Sequence, residues 1–155
     1  MLDEHRYKIV NGKYITAAVV IINSDGDILG CRTTGRGKYD FPKGMVEDYE
    51  SDVEGAVREL VEETGIIIST DNLIDCGLYP HGNSEKFIHI FLYQTDVFPD
   101  LDDLECTSYF ERDGKSYPEV DGYSIIKKDE RFKFNKILQD KFNIIDKFNK
   151  QNYTV

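Results

Sequence analysis

Three glutamates, Glu59, Glu62 and Glu63, stand close together in the sequence and could hold a divalent cation. In a helix of about 3.6 residues per turn, the spacing i, i+3, i+4 places all three on one face. Like charges at this spacing oppose helix formation by roughly 0.2–0.5 kcal/mol per pair, and a helix C-terminus favours cations. A solvated acidic face is the ordinary reading of such a run. A hard cation such as Mg²⁺, which prefers oxygen ligands, would turn the repulsion into coordination, so we interpret the cluster as a metal site.

The segment around these glutamates has the apolar periodicity of an amphipathic helix. Its apolar residues recur at steps of three and four: Val53, Ala56, Val57, Leu60 and Val61. Gly65 follows Thr64 directly, as is typical of a helix C-terminus. The pattern predicts a helix over residues 51–64 that carries the glutamates away from its apolar stripe.

The flanking segments predict a β-sheet and a closing helix. Runs of β-branched and aromatic residues predict strands, over residues 14–22, 28–32, 73–79, 86–97, 108–111, 115–117 and 122–126. The first two strands and the pair around residues 112–114 read as hairpins. Residues 33–44, with three glycines and no periodicity, predict a loop. An apolar stripe from Phe134 to Phe148 predicts the last helix.

The stretch from Gly44 to Ile66, GMVEDYESDVEGAVRELVEETGI, matches the pattern G-x5-E-x7-R-E-U-x-E-E-x-G-U, in which U is aliphatic. Every specified position is present: Gly44, Glu50, Arg58, Glu59, Leu60, Glu62, Glu63, Gly65 and Ile66. The segment therefore resembles the Nudix box. The surrounding order of predicted strands and helices is also similar to the Nudix fold, which extends the resemblance over most of the chain.

The resemblance implies an α+β fold, an α/β/α sandwich with a central mixed β-sheet. It also implies an enzyme that binds Mg²⁺ or Mn²⁺ and hydrolyses a nucleoside diphosphate linked to another moiety. By similarity, Glu62 and Glu63 are metal ligands, Glu59 is a further ligand or the catalytic base, and the Gly44 carbonyl is another ligand. Cations are needed because the oxygens of a pyrophosphate are negative and repel an attacking nucleophile.

Two further residues of the box have a structural role by similarity. Arg58 and Glu50 are expected to form an internal ion pair that holds the loop against the helix.

A catalytic base outside the box is expected among later acidic residues. The resemblance offers Glu105, Glu111 and Glu119. The stretch Pro118–Tyr123 contains Glu-x-x-x-Tyr, as in dinucleoside polyphosphate hydrolases. We therefore select Glu119 as a remote metal ligand or base.

The residues before the box bear on the substrate. Tyr39–Gly44 reads YDFPKG and resembles the W-x-F-P-K-G lead-in of asymmetric dinucleoside polyphosphate hydrolases. We expect dinucleoside polyphosphates, or else ADP-ribose-type conjugates, with Lys43 and Arg32 as phosphate contacts. Arg36 lies in the same loop region. The alternatives are a capped or triphosphorylated RNA 5′ end, a diphosphoinositol polyphosphate, and a module that senses a nucleotide without cleaving it.

Composition limits the remaining classes. The chain has 155 residues with a net charge of −10, which predicts one domain over residues 1–155 and argues against general coating of nucleic acid. The longest early apolar run, residues 17–22, is too short for a membrane span. Three scattered cysteines suggest neither a disulfide framework nor a zinc site, so a cytoplasmic setting is expected. The oligomeric state stays open.

Overall fold

The computed structural model describes residues 6–82 and 85–153. Within them lie ten strands: β1 (Ile9–Val10), β2 (Lys13–Ile22), β3 (Ile28–Thr33), β4 (Tyr39–Asp40), β5 (Lys43–Met45), β6 (Ile74–Pro80), β7 (Lys86–Gln94), β8 (Tyr109–Arg112), β9 (Lys115–Pro118) and β10 (Val120–Ile126). The α-helices are α1 (Asp52–Thr64) and α2 (Phe142–Asn152). Short 3₁₀ helices cover Thr70–Asn72, Leu101–Asp103, Lys128–Lys133 and Lys136–Lys141.

The main sheet is mixed, with the order β10-β3-β2-β7-β6. Strands β2 and β7 run parallel over nine paired positions, whereas the other paired neighbours are antiparallel. The short strands β1 and β5 pair with β2, and β4 pairs with β3. Strands β8 and β9 form a separate hairpin, as the sequence predicts.

The central strand β2 is buried on both faces. Its residues Ile15, Ala17, Val19 and Ile21 join a core cluster with Ala56 and Leu60 of α1. The alternate residues Ala18, Val20 and Ile22 join a second cluster with Phe142 and Ile145 of α2. Because successive side chains of a strand point to opposite faces, a strand covered on both sides reads as a continuous apolar run. The predicted α/β/α sandwich with a mixed sheet is therefore confirmed.

Helix α1 has the boundaries that its end residues predict. The Ser51 hydroxyl accepts a hydrogen bond from the Glu54 N–H at 3.2 Å, and the Glu54 carboxylate accepts one from the Ser51 N–H at 2.8 Å. This capping box satisfies two amide groups that a helix N-terminus leaves unpaired. At the other end Gly65 has φ 80°, a left-handed conformation that suits glycine, and its N–H donates to the Val61 carbonyl.

Two predicted segments differ from the structure. The expected loop over residues 33–44 contains β4 and the start of β5. The expected C-terminal helix begins at Phe142, since the apolar stripe before it is held in 3₁₀ turns. The helix does not begin earlier because the chain at residues 134–135 is bonded to β4. The Asn135 N–H donates to the Tyr39 carbonyl at 2.8 Å, and Phe134 is extended, with ψ 154°. Phe134 and Leu138 are still buried in the α2-side core.

Among the described residues, no helix has the length and apolar character needed to cross a membrane. The cytoplasmic setting and the single domain over residues 1–155 stay predictions.

Candidate active site

A cleft of about 730 Å³ lies beside α1 and is lined by residues from the sheet, from the box and from the segment after β9. Six carboxylate side chains line it: Asp40, Glu47, Glu59, Glu62, Glu63 and Glu119. Four cationic side chains also line it: Arg36, Lys43, Arg58 and Lys86. The three glutamates that the spacing singles out are therefore brought to one cavity.

Glu59 packs directly on the backbone of β5. A Cβ atom added at Gly44 would lie 2.0 Å from Glu59 Oε1, so only glycine leaves room for this carboxylate. The Glu59 side chain is 11% exposed. Burial, and next the charge of Glu62, raise the pKa of Glu59 to about 7. Gly44 and Glu59 thus form one unit in which a carboxylate lies against the main chain.

The pKa of Glu63 is raised further than that of Glu59. One oxygen, Oε1, accepts a hydrogen bond from the Lys43 backbone N–H at 3.2 Å. Burial, and next the charge of Glu59, raise the pKa of Glu63 to about 9. Glu62 differs, because its side chain is 37% exposed. Burial therefore favours the protonated form of both carboxyls over the ionised form.

Arg58 ties the loop of the box to the helix. Its guanidinium contacts Glu50 at 2.7 Å, Glu62 at 3.1 Å and Glu59 at 3.2 Å, and it donates to the Met45 carbonyl at 3.0 Å. Hydrogen bonding to Glu50 is the main cause that raises the pKa of Arg58 above its ordinary value. The predicted internal ion pair of Arg58 and Glu50 is confirmed.

The donor set suits a hard cation. Carboxylate and carbonyl oxygens are the ligands that Mg²⁺ and Mn²⁺ prefer. Arg58 now shares Glu59 and Glu62, and no cluster of three or more His, Cys, Asp or Glu in residues 6–82 and 85–153 is already arranged as a metal cage. The carboxylates of Glu59, Glu62 and Glu63 and the Gly44 carbonyl are therefore oxygen donors of the kind that fit a hard divalent cation.

Glu119 reaches the same cleft from a distant part of the chain. It lies between β9 and β10, and its carbonyl accepts a hydrogen bond from the Thr34 N–H at 3.2 Å. Its charge contributes to the raised pKa values of Glu59 and Glu63. The other two acidic residues considered as a base, Glu105 and Glu111, do not line the cleft.

The two expected phosphate contacts are placed differently. Lys43 lines the cleft and pairs with Asp40 at 3.3 Å. Burial would lower the pKa of Lys43, but the charges of Asp40 and Glu63 outweigh it and raise the pKa. Arg32 pairs with Asp121 at 2.7 Å and does not line the cleft. The structure therefore does not bring Arg32 to the carboxylates, and its role in substrate binding stays a prediction.

Sequence reasoning missed three residues of the cleft: Asp40, Glu47 and Lys86. Glu47 occupies a variable position of the box and lies 3.6 Å from Arg58. Lys86 is the first residue of β7, where nothing in the sequence distinguishes it from a solvated lysine. Its place in the cleft follows from the pairing of β7 with β2, which the sequence alone does not reveal.

Comparisons with known proteins identify the family and the fold. A family model described as NUDIX domain matches residues 12–121, well beyond the box itself. A MutT-like protein of Streptomyces ambofaciens is 36% identical over 59 residues, 38% of this chain and 38% of that protein. An RNA pyrophosphohydrolase of Halorhodospira halophila is 40% identical over 48 residues, 31% of this chain and 26% of that protein. The chain therefore aligns with well under half the length of these relatives.

One solved structure covers nearly the whole fold. The crystal structure of a C. elegans Ap4A hydrolase binary complex superposes with a TM-score of 0.62 and 16% identity, over 89% of this chain and 98% of that chain. At this identity the likeness shows the fold alone.

Proposed function

This chain belongs to the NUDIX family, and from that membership we propose that it is a pyrophosphohydrolase that requires a divalent cation, Mg²⁺ or Mn²⁺. The substrate is a nucleoside diphosphate linked to another moiety. The bond that breaks is a phosphoric anhydride, and water supplies the incoming oxygen.

One observation carries the proposal: Glu59, Glu62 and Glu63 of α1 line one cleft, and burial raises the pKa of Glu59 and of Glu63 there. A fold that needed only stability would gain from apolar side chains at such positions. Strongly perturbed carboxyls in a cleft are typical of a functional site.

The residues that would hold the cation are Glu59, Glu62 and Glu63, together with the Gly44 carbonyl. When bound, the cation neutralises phosphate oxygens and makes water more acidic. Glu59 Oε1 lies against the backbone of Gly44, which fixes its position. Glu59 and Glu119 are the two groups that can accept the proton of the attacking water, and both line the cleft.

Dinucleoside polyphosphates are the substrates that we favour, followed by ADP-ribose-type conjugates. The YDFPKG lead-in supports the first choice, because Phe41, Lys43 and Gly44 of this segment all line the cleft. An RNA 5′ end is the alternative, supported by the relatives named RNA pyrophosphohydrolase. A diphosphoinositol polyphosphate is disfavoured, since a chain of net charge −10 with six carboxylates in its cleft offers little to so dense an anion.

The decisive experiment incubates the protein with Mg²⁺ or Mn²⁺ and a panel of diadenosine tri- and tetraphosphate, ADP-ribose, FAD, nucleoside triphosphates and capped or triphosphorylated RNA. Chromatography of the products identifies the bond attacked. We expect cleavage that EDTA abolishes. Binding of a panel nucleotide without any product, under both cations, would replace the enzyme with a sensing module.

A further inference from the structure

The cations that line the cleft fall into two groups. Lys43 is engaged with Asp40, and Arg58 is engaged with Glu50, Glu59 and Glu62. For Arg36 and Lys86, no carboxylate in the described part of the chain lies within ion-pair distance. In a chain of net charge −10, two cations without carboxylate partners in one cleft are the groups best able to meet an anion.

Arg36 stands on an exposed turn on the Glu119 side of the cleft. Gly35 and Gly37 flank it with φ 81° and 70°, and its N–H donates to the Thr33 carbonyl at 3.1 Å. Thr34 precedes Gly35. Its hydroxyl donates to the Pro118 carbonyl, and its N–H donates to the Glu119 carbonyl. The turn that presents Arg36 is thus bound to the segment that carries Glu119.

Lys86 lies across the central strand from the box. It pairs with Tyr14 of β2, and two positions further along β2 Thr16 pairs with Met45 of β5. Lys43 and Lys86 both act on buried His81: burial, then the charge of Lys43, and more weakly those of Lys141 and Lys86, lower the pKa of His81 to about 4. Lys86 thus brings a second cation near Lys43, while the charge of Asp40 acts on His81 in the opposite direction.

We propose that Arg36 and Lys86 bind phosphate groups beyond the scissile anhydride, which selects substrates with a linear chain of three or more phosphates. The inference rests on the proposed function. The cation that the glutamates would hold supplies positive charge for the two phosphates of the scissile anhydride. Each added phosphate brings at least one more negative charge to a cleft that six carboxylates line, and it needs a cation that is not already paired.

The test compares Lys86→Gln and Arg36→Gln with wild type on diadenosine tetraphosphate and on ADP-ribose, which has only two phosphates. Loss of a charge-assisted hydrogen bond should raise KM for the tetraphosphate roughly tenfold. KM for ADP-ribose should stay within about twofold, and Lys86→Arg, which keeps the charge, should retain most of the affinity. Lys150→Gln on the exposed last turn of α2 is the charge-matched control.

An equal change of KM for both substrates, or none beyond that of the control, would overturn the inference. A 5′-triphosphorylated RNA is a further arm: an effect on the RNA but not on diadenosine tetraphosphate would assign the phosphate chain to an RNA end.

The failure of the proposed function is recognised separately. If wild type cleaves nothing in the panel, binding of inorganic tripolyphosphate in Mg²⁺ by calorimetry decides the inference. Tighter binding by wild type than by both variants supports it, whereas equal binding or no binding refutes it.

Discussion

At the N-terminal end of α1, Asp52 lies between two basic side chains, whereas near the C-terminal end Glu59 and Glu63 lie against each other. Asp52 pairs with Lys8 at 2.8 Å and with His89 Nδ1 at 2.7 Å, and the other nitrogen of His89 faces Asp75 at 2.7 Å. Burial would raise the pKa of Asp52, but the bonds from Lys8 and His89 outweigh it and lower the pKa. At the other end burial raises both glutamate pKa values.

The same helix therefore contains a carboxylate that the fold stabilises as an anion and two that it does not. The helix dipole acts in the same direction, because it favours anions at the N-terminus and disfavours them at the C-terminus. The difference teaches that the charge of Asp52 is balanced within the chain, whereas the charges of Glu59 and Glu63 are balanced less well, which supports the cation that we propose for them.

The largest effect should come from removing one of the buried carboxylates. We expect Glu63→Gln to lower kcat by about 10²–10³-fold, the size seen when a preorganised charge-stabilising group is lost. The variant should remain folded, since an amide resembles the neutral carboxyl. Activity assays with circular dichroism measure both, with Glu130→Gln, a partly exposed glutamate on a 3₁₀ turn, as the control. Normal hydrolysis by Glu63→Gln would mean that the metal site is assigned wrongly.

The next effect should come from filling the space under Glu59. In Gly44→Ala the new Cβ would lie at 2.0 Å from Glu59 Oε1, so the carboxylate must move. A displacement of about 1 Å at a reacting centre costs on the order of 10²-fold in rate. Gly122→Ala is the matched control, because the nearest atoms to its Cβ would belong to the Arg32 guanidinium, at 3.1 Å, and neither residue lines the cleft. Equal activity of the two variants would show that catalysis does not depend on the close contact between Gly44 and the Glu59 carboxylate.

The pH dependence of stability should separate the two ends of α1. Glu63 and Glu59 keep their protons in the folded chain up to pKa values of about 9 and 7, while in the unfolded chain they lose them near 4.5. The folded state then binds more protons in these windows, so stability in EDTA falls as pH rises from about 4.5 to 9. One pKa unit corresponds to about 1.4 kcal/mol, so we expect the melting temperature to fall by at least about 5 °C across this range.

Two comparisons check this pH effect. Glu63→Gln should flatten the fall, because its amide does not titrate. Mg²⁺ should raise the melting temperature more at pH 8 than at pH 6, since it binds the ionised carboxylates. A melting temperature in EDTA that rises over this window would show that the buried glutamates are ionised without a cation.

The smallest effect should come from the N-terminal cluster. The lowered pKa of Asp52 stabilises the fold above the unfolded value of 3.8, and this contribution is lost as pH falls below it. Asp52→Asn should lower the free energy of unfolding by about 1 kcal/mol at neutral pH, or the melting temperature by roughly 3 °C. It should also weaken the dependence of stability on pH in the acidic range. Asp71→Asn, an exposed change, is the control. If Asp52→Asn lowered kcat at a temperature at which the variant is fully folded, this cluster would also serve catalysis.

Much of the site could be predicted because its main parts are local. Glu59, Glu62 and Glu63 share a helix face by the period of the helix alone, and Ser51 and Gly65 mark where that helix begins and ends. The pair of Arg58 and Glu50 follows from the box, which spans a single loop and helix. These features need few contacts from the rest of the chain.

The outer parts of the site depend on strand pairing between distant segments. Glu119 was selected by resemblance, but its place in the cleft follows from the contact of its segment with the turn at Thr34. Arg32 and Arg36 are four residues apart and look equivalent in sequence, yet one pairs with Asp121 and the other lines the cleft.

The sequence by itself determined the helix over residues 51–64, its acidic face, the glycine at its C-terminus and the family. The tertiary structure alone decided which distant charges face that helix: Glu119, Arg36 and Lys86 come to the cleft, and Arg32 does not. The physical reason is that a helix positions its side chains through bonds four residues apart, whereas a sheet joins residues that lie tens of positions apart in the chain.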